Sequence, residues 1–422
     1  MSRYDPLLSR TDERPDVSLR WDRDRPVAAR RGDTVSLALL DAGALETSRS
    51  AKYRRPRGAF CLRGDCGTCL VRIDGLPNRR ACTTVVRDGL QVQPQNRLVS
   101  GPDPSALIDT MMRGDMDHHH FMVRPRVVNQ IMQGVARNLT GLGTLPDRAE
   151  PDAPARHEEH HPDVLVVGAG LAGRAAVEVL RAAGREVLWI DRLDRAGLVA
   201  QNDDDGLDGL CDQTGVFGVY PPERLWAAVT ERPGEGAVLR SIAPRHVVVA
   251  TGARDPTIPL PNNDRPGVVS ARGLVEQLRR SGARLRAPAV VIGAGAHAQA
   301  LARALDRPCI DPAAVERIEG SPVEAVRMRD GSACEARLVA LAAPPAPAYE
   351  LVRQAGASVR WDGHGFAIVR DQAGRCALGP WTVWAAGDVC GHQGLAAGDD
   401  GRRVAQALLA ASSSSSALSP TP

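Results

Sequence analysis

Phe60-Cys61-Leu62-Arg63-Gly64-Asp65-Cys66-Gly67-Thr68-Cys69, followed later by Arg80-Ala81-Cys82, is the stretch that organises this chain. Its cysteines stand as C-x4-C-x2-C-x12-C, three in a tight loop and one on a later segment. That is a spacing with which four thiolates hold a [2Fe–2S] cluster, so Cys61, Cys66, Cys69 and Cys82 are the candidate metal ligands. Gly64 and Gly67 let the loop wrap closely, so that backbone N–H groups can face the sulfurs and offset their charge. Cys66-Gly-Thr-Cys69 alone would also suit structural zinc, and that alternative stands beside the cluster. Four of the nine cysteines fall within this stretch, which argues against scattered buried thiols. The others (Cys211, Cys309, Cys334, Cys376, Cys390) have no ligand spacing and read as small buried residues.

On the N-terminal side, residues 1–16 are polar and read as disordered. Val17-Ser-Leu-Arg-Trp and Pro26-Val-Ala-Ala-Arg predict strands, and Thr34–Ala42 an amphipathic helix capped by Asp33 or Thr34. After the loop, Cys69-Leu-Val-Arg-Ile predicts a strand ending in a turn at Asp74-Gly75, and Leu90-Gln-Val-Gln-Pro alternates. This order suits a small β-grasp ferredoxin-like domain over residues 1–100. Lys52, Arg54, Arg55, Arg57, Arg63, Arg79 and Arg80 surround the cysteines against only Asp65 and Asp74. They are either a solvated face or a basic docking surface that also raises the cluster's reduction potential.

Residues 101–161 read as a connecting segment and linker. Val127–Leu139 predicts a helix, and Pro146–Pro162 is rich in proline and charge. His118, His119 and His120 invite a metal reading, but consecutive side chains do not converge on one ion from a regular helix, and their role stays open.

At Asp163 the character changes. Asp163-Val-Leu-Val-Val predicts a buried strand, followed at once by Gly168-Ala-Gly170-Leu-Ala-Gly173 and a helix to Ala183. A second strand, Glu186-Val-Leu-Trp-Ile, ends in Asp191, so G-x-G-x-x-G stands between strand and helix with an acid at the expected distance. Gly168 would make the tight turn, Gly170 admit a pyrophosphate, and Gly173 allow helix–sheet contact. Asp191 would bond a ribose hydroxyl. Residues 192–245 read as irregular, with an acidic loop at Asp203-Asp-Asp. The strand at Arg245-His-Val-Val-Val runs into Ala250-Thr251-Gly252. A second, weaker unit follows: Ala289-Val-Val-Ile, then Gly293-Ala-Gly295-Ala-His-Ala298, with alanine in the third glycine's place. Its next strand, Pro308-Cys-Ile-Asp311, is stunted, so the unit is either a nicotinamide-nucleotide site or a packing element. Val383-Trp-Ala-Ala-Gly387-Asp388 ends a late strand, a helix is expected over Arg402–Leu409, and Ser412–Pro422 reads as a tail that does not fold.

The chain has 422 residues, 43% hydrophobic and 24% charged, with a net charge of +3 and 3% aromatics. This balance fits a globular protein of two or three domains and gives no bulk argument for nucleic-acid binding. No apolar run predicts a transmembrane segment, and the N-terminus does not read as a secretory signal. A reducing cytoplasm is the expected location, with attachment to a membrane only through partners.

An early GxGxxG, an Ala250-Thr251-Gly252 turn and a late Ala-Gly387-Asp388 together resemble the flavoproteins with two dinucleotide-binding domains. The resemblance implies that Asp388 binds the ribityl chain of FAD, with Thr251, Gly252 and Gly387 beside it. It also implies an inserted NAD(P)-type domain. The expected layout is FAD domain 162–284, insert 285–375, FAD return 376–411 and tail 412–422, an α/β fold behind the β-grasp module. Pro261-Asn-Asn-Asp-Arg-Pro-Gly-Val, with Gly75-Leu-Pro-Asn-Arg-Arg-Ala-Cys82 and the cysteine loop, is similar to the α-type subunits of heteromeric flavin amine oxidases. That family includes sarcosine oxidase, hydrogen cyanide synthase and the octopine and nopaline oxidases. The resemblance implies a [2Fe–2S] cluster and FAD, with NAD(P) or another adenine nucleotide at Gly293 and Gly295. It further implies a partner chain that oxidises an amine or amino acid at its own flavin. With no folate-binding half after residue 410, a substrate other than sarcosine is expected. No catalytic residue, substrate or terminal acceptor can be assigned. Two alternatives stand beside this reading: an NAD(P)H-dependent ferredoxin-type reductase feeding an oxygenase, and a redox-sensing or assembly protein that is not an enzyme.

Overall fold

Alternating burial writes the first sheet. In Val17–Trp21 the residues Val17, Leu19 and Trp21 face inward while Ser18 and Arg20 stay in water, the period of a half-buried strand. The computed structural model describes residues 6–9, 15–50, 55–96, 125–127, 129–130, 155–202, 206–232, 236–379 and 381–416. Lys52, Arg54, Asp203–Asp205 and His118–His120 lie outside the described residues, as does most of the Val127–Leu139 helix.

The first unit joins Met1–Glu150 to Thr257–Ala343. Its five-stranded sheet runs in the order Arg25–Ala29, Val17–Trp21, Leu90–Pro94, Leu70–Ile73, Leu76–Arg80. Val17–Trp21 pairs antiparallel with Arg25–Ala29 and parallel with Leu90–Pro94, which is the β-grasp arrangement. The helix Val35–Asp41 is capped by Thr34, whose Oγ1 accepts from the Leu37 N–H at 3.2 Å. The second segment of this unit contributes a parallel sheet in the order Val268–Ser270, Leu338–Ala342, Ala289–Gly293, Cys309–Ile310. Two helices, Ala271–Ser281 and Gly295–Leu305, accompany it.

Cores run across both segments of this unit. Val17, Leu19, Val35, Leu39 and Val71 fill the β-grasp interior. Leu37, Leu40, Leu45 and Leu62 instead join Leu274, Val291 and Leu338 in a common cluster. Leu7 and Leu8 belong to it too, and Leu8–Ser9 pairs antiparallel with Arg284–Leu285. The expectation of a disordered 1–16 is therefore corrected for residues 6–9, because the apolar Leu7-Leu8 pair finds a core that lies far away in sequence.

The second unit joins Pro151–Pro256 to Pro344–Pro422. Its six-stranded sheet has the order Leu210–Cys211, Val187–Ile190, Val164–Val167, His246–Val249, Thr382–Ala385, Arg375–Leu378. Val164–Val167 is buried at every position, as a central parallel strand covered on both faces must be. The helix Leu171–Ala182 packs through Ala172, Ala176 and Leu180 against Val404, Ala405 and Leu408 of the helix Ala397–Ser416. The late helix is longer than the expected Arg402–Leu409 and runs into the supposed tail as far as Ser416.

Two further expectations are corrected here. Residues 192–245 are not irregular: Thr214–Tyr220, Leu225–Arg232 and Gly236–Ile242 form an antiparallel meander, joined at its edge by Arg156–His160 in parallel. That edge strand lies in the stretch read as linker. Its Arg-His-Glu-Glu-His sequence has no apolar alternation, and it is held partly by side chains, with His157 Nε2 and Ser241 Oγ 2.8 Å apart and an Arg240–Glu158 ion pair at 3.2 Å. The unit boundaries also fall at 256/257 and 343/344 rather than at 284/285 and 375/376. Val268–Ser270 completes the inserted sheet, whereas Val352, Ala357 and Ile368 pack with Val247 and Val383 of the second unit.

Candidate cofactor sites

The cysteine loop is folded around its own sulfurs. Leu62, Gly64 and Gly67 all have positive φ, which bends the backbone tightly enough to turn successive N–H groups inward. The N–H groups of Arg63, Asp65 and Cys66 approach Cys61 Sγ at 3.5, 3.2 and 3.3 Å. The Gly64 N–H approaches Cys82 Sγ at 3.2 Å, and the Cys61 N–H approaches Cys66 Sγ at 3.5 Å. Cys69 Sγ lies 3.3 Å from Cys82 Sγ. The structure thus brings the four thiols together in one group, with Cys61 in contact with Cys66 and Cys82, and Cys82 in contact with Cys69 as well. The Cys66 thiol, followed by that of Cys82, donates to Cys61 and holds it far below the ordinary thiol range, while Cys66 rises. The Cys69–Cys82 contact lowers Cys69 against the effect of its burial, while the Cys61 and Cys69 contacts and burial raise Cys82.

This donor set fits a [2Fe–2S] cluster. Two irons ask for thiolates in pairs, and inward N–H groups stabilise sulfur charge in a buried place. The basic face is smaller than expected. Arg63 pairs with Glu276 at 2.8 Å and Arg57 pairs with Asp264, both acids coming from the second segment of the same unit.

In the second unit each glycine of the Gly168–Gly173 turn meets the surroundings that its role demands. A Cβ on Gly168, at φ +113°, would lie 2.2 Å from the Ala250 carbonyl oxygen, and one on Gly173 would lie 1.9 Å from that of Gly168. A Cβ on Gly170 would meet nothing within 4 Å. Gly170 is also the N-cap of the Leu171–Ala182 helix and supplies no side-chain cap, so the open side of the turn is where helix N–H groups can face a phosphate. Asp191 stands at the end of its strand as predicted, but both of its oxygens also brace the turn, accepting from the Ala169 N–H at 2.7 Å and the Leu193 N–H at 2.8 Å. Thr251 Oγ1 donates to the Ala348 carbonyl at 3.0 Å, and Gly252 takes φ +70° in the adjacent turn.

Gly387 and Asp388 open a short 3-10 turn after the Thr382–Ala385 strand. Asp388 accepts from the Gln393 N–H at 2.7 Å, and its other oxygen is 3.1 Å from His392 Nδ1. The residue that fixes this turn was missed from sequence. Asp400 accepts from the Gly387 N–H at 2.9 Å, from Arg370 at 2.8 Å and from Arg403 at 2.6 Å. Burial pushes the Asp400 carboxyl up, but the hydrogen bonds from Arg370, the Gly387 N–H and Arg403 outweigh it and hold the group below its ordinary value. An acid in the first turn of the helix after Ala-Gly-Asp was the available signal. Arg174 was missed as well: it is 5% exposed, and its Nε donates to the Ala169 carbonyl at 3.1 Å, behind the glycine turn.

The Gly293–Ala298 unit has the same backbone shape with weaker furnishings. A Cβ on Gly293 would lie 2.6 Å from the Ala342 carbonyl oxygen, whereas one on Gly295 would meet nothing within 4 Å. Asp311, the acid that would hold a ribose, accepts from the Ala313 N–H at 2.8 Å and caps a 3-10 turn.

Residues 14–97 match a family described as a 2Fe-2S iron-sulfur cluster binding domain, and residues 166–229 match a NAD(P)-binding Rossmann-like domain. The chain is 29% identical over 323 residues to sarcosine oxidase subunit alpha of Rhizobium meliloti, covering 68% of this chain and 32% of that protein. It is 47% identical over 72 residues to hydrogen cyanide synthase subunit HcnA of Pseudomonas aeruginosa, covering 17% of this chain and 68% of that one. The ferredoxin-like domain belongs to the family of hydrogen cyanide synthase subunit HcnA, and the chain is similar along most of its length to sarcosine oxidase subunit alpha. It spans about a third of the length of the sarcosine oxidase relative, which is 32% covered. Among solved structures, L-proline dehydrogenase from P. horikoshii shares the fold with a TM-score of 0.68 at 19% identity, over 98% of this chain and 76% of that one. The fold is therefore a β-grasp ferredoxin-like domain of the [2Fe–2S] cluster-binding kind with a module built on two dinucleotide-binding-type domains. Among the described residues, no helix is long and apolar enough to cross a membrane.

Proposed function

We propose that this chain is the electron-transferring subunit of a heteromeric amine or amino-acid dehydrogenase or oxidase. It passes electrons between a partner subunit, where a second flavin oxidises the substrate, and an acceptor. Cys61, Cys66, Cys69 and Cys82 hold the cluster. Gly168, Gly170, Gly173, Asp191, Thr251, Gly252, Gly387 and Asp388 hold FAD, and Gly293 and Gly295 remain a candidate second nucleotide site. When bound, FAD exchanges one or two electrons and a [2Fe–2S] cluster exchanges one, so the pair suits the division of a two-electron oxidation. The chain's own contribution is binding and electrostatics. Inward N–H groups would compensate the thiolates, the Leu171–Ala182 helix N-terminus would take a pyrophosphate, and Asp400 holds the Gly387–Asp388 turn that would meet the ribityl chain.

The observation that carries this reading is the gathering of the four thiols within a shell of N–H donors, on the same chain as a glycine turn open at Gly170. Alanine in the place of the third glycine, at Ala298, and a following strand of only two residues, Cys309–Ile310, weigh against the self-contained reductase. An anaerobic absorbance titration of the cofactor-loaded protein with NADH and NADPH tests the choice. The relay reading expects no bleaching of flavin or cluster by either nucleotide and full bleaching by dithionite. Rapid stoichiometric bleaching by a nicotinamide nucleotide would replace it with the reductase. A protein that gives no turnover with any candidate partner subunit would support the sensing or assembly alternative.

A further inference from the structure

One face of the Ala271–Ser281 helix, with its cap, is turned onto the cysteine loop. The Ser270 N–H donates to the Phe60 carbonyl at 2.8 Å. A Cβ on Gly273 would lie 2.0 Å from the Cys61 carbonyl oxygen, so only glycine allows this approach. Gln277, 6% exposed, donates through Nε2 to the Leu62 carbonyl at 3.0 Å, while its Oε1 accepts from Thr34 Oγ1 at 3.0 Å. Glu276 on the same helix pairs with Arg63 at 2.8 Å. Positions 270, 273 and 277 recur at helical spacing, so three consecutive loop carbonyls meet one stripe of the helix.

Peptide planarity gives these contacts a second effect. In a trans peptide the C=O and the following N–H point in opposite directions. Fixing the Phe60 carbonyl on Ser270 therefore aims the Cys61 N–H at Cys66 Sγ, and fixing the Leu62 carbonyl on Gln277 aims the Arg63 N–H at Cys61 Sγ. Leu62 sits at φ +57°, a conformation that a leucine adopts only when its surroundings hold it there.

Resting on the cluster reading above, we propose that the Ala271–Ser281 helix of the inserted dinucleotide-type segment sets the reduction potential of the cluster, with Gln277 as its positioning residue. Reduction adds negative charge to a thiolate-bound cluster, and N–H donors aimed at the sulfurs stabilise the reduced form. Releasing the Leu62 carbonyl lets the Arg63 N–H turn away, and the potential falls.

The test is a redox titration of the cofactor-loaded full chain, followed by visible absorbance and the low-temperature EPR signal of the reduced cluster. Gln277→Met and Gln277→Glu both remove the donor to Leu62, and Gln277→Glu keeps an acceptor for Thr34. Both are expected to shift the reduced/oxidised ratio toward the oxidised form by about tenfold, a fall of about 59 mV for a one-electron couple, with altered g-values. Thr34→Val deletes the other half of the contact and a helix cap, so it is expected to lower the melting temperature while leaving the potential in place. Equal potentials in parent, Q277M and Q277E would overturn the proposal, as would a potential that follows melting temperature through T34V. Absence of any cluster spectrum in the parent would instead overturn the cluster reading on which it rests.

Discussion

Removing the Asp400 carboxylate should loosen the flavin-side turn and destabilise the second unit. The side chain is 9% exposed and pairs with Arg370, itself 18% exposed, while also accepting from the Gly387 N–H. Asp400→Ala leaves a largely buried guanidinium without this carboxylate, a loss of about 3–5 kcal/mol when a buried pair is broken from one side. The abandoned Gly387 N–H contributes about 1–3 kcal/mol within that range if water does not reach it. Asp400→Asn keeps one acceptor oxygen and should lose about half as much. The sign of the pH dependence follows from the lowered carboxyl. A group whose folded pKa lies below its unfolded value of about 3.8 stabilises the fold above that pH, and the benefit is lost as pH falls through the folded value. The gap between parent and D400N should therefore be full at pH 7 and shrink below about pH 3.8. Urea denaturation of the flavin-free protein at several pH values measures it, and flavin fluorescence measures the accompanying loss of FAD affinity. A D400A protein within about 1 kcal/mol of the parent at pH 7 would refute the reasoning, because no buried pair of this kind is broken so cheaply.

Other substitutions separate binding from folding. Gly170→Ala should leave the flavin-free melting curve nearly unchanged but abolish FAD retention, since its Cβ meets only the open side of the turn; Gly173→Ala should instead lower stability by several kcal/mol, its Cβ lying 1.9 Å from the Gly168 carbonyl oxygen. C61S should remove the cluster's visible and EPR signals while the flavin spectrum survives, and a retained cluster spectrum would refute the ligand assignment. Leu7→Ala should cost the first unit about 2–5 kcal/mol in a denaturation experiment, because the side chain is wholly buried in a core shared with Leu274 and Val291.

What the sequence made legible was whatever its own local chemistry dictates. The cysteine spacing, the alternation of Val17–Trp21, the Thr34 cap and the division of labour among Gly168, Gly170 and Gly173 each require only neighbours a few residues away. The illegible features depend on partners far off in the chain. Arg156–His160 looks like linker because an edge strand held by polar side chains carries no apolar period. Arg57 and Arg63 look like a free basic face until Asp264 and Glu276 arrive. Asp400 looks like a solvent-exposed helix-start acid until the Gly387 turn folds back onto it. The insert's boundaries slipped for a similar reason: Val268–Ser270 is too short to announce itself as a strand, and only its pairing with Leu338–Ala342 places it in the inserted sheet.

The shared core of the first unit has a consequence for how the protein is made. Leu37, Leu40 and Leu62 are synthesised early, yet their cluster also contains Leu274, Val291 and Leu338. A ribosome adding about 5–20 residues per second therefore emits the ferredoxin-like module well before the surface that covers it. During that interval an apolar flank and the cysteine loop wait together in the nascent chain, and the loop lacks Gln277 to hold the Leu62 carbonyl. Loading of iron and sulfur is thus expected to follow synthesis of the Ala271–Ser281 and Leu338–Ala342 segments. Expression conditions that slow late translation or starve cluster assembly should then yield aggregates enriched in the N-terminal segment.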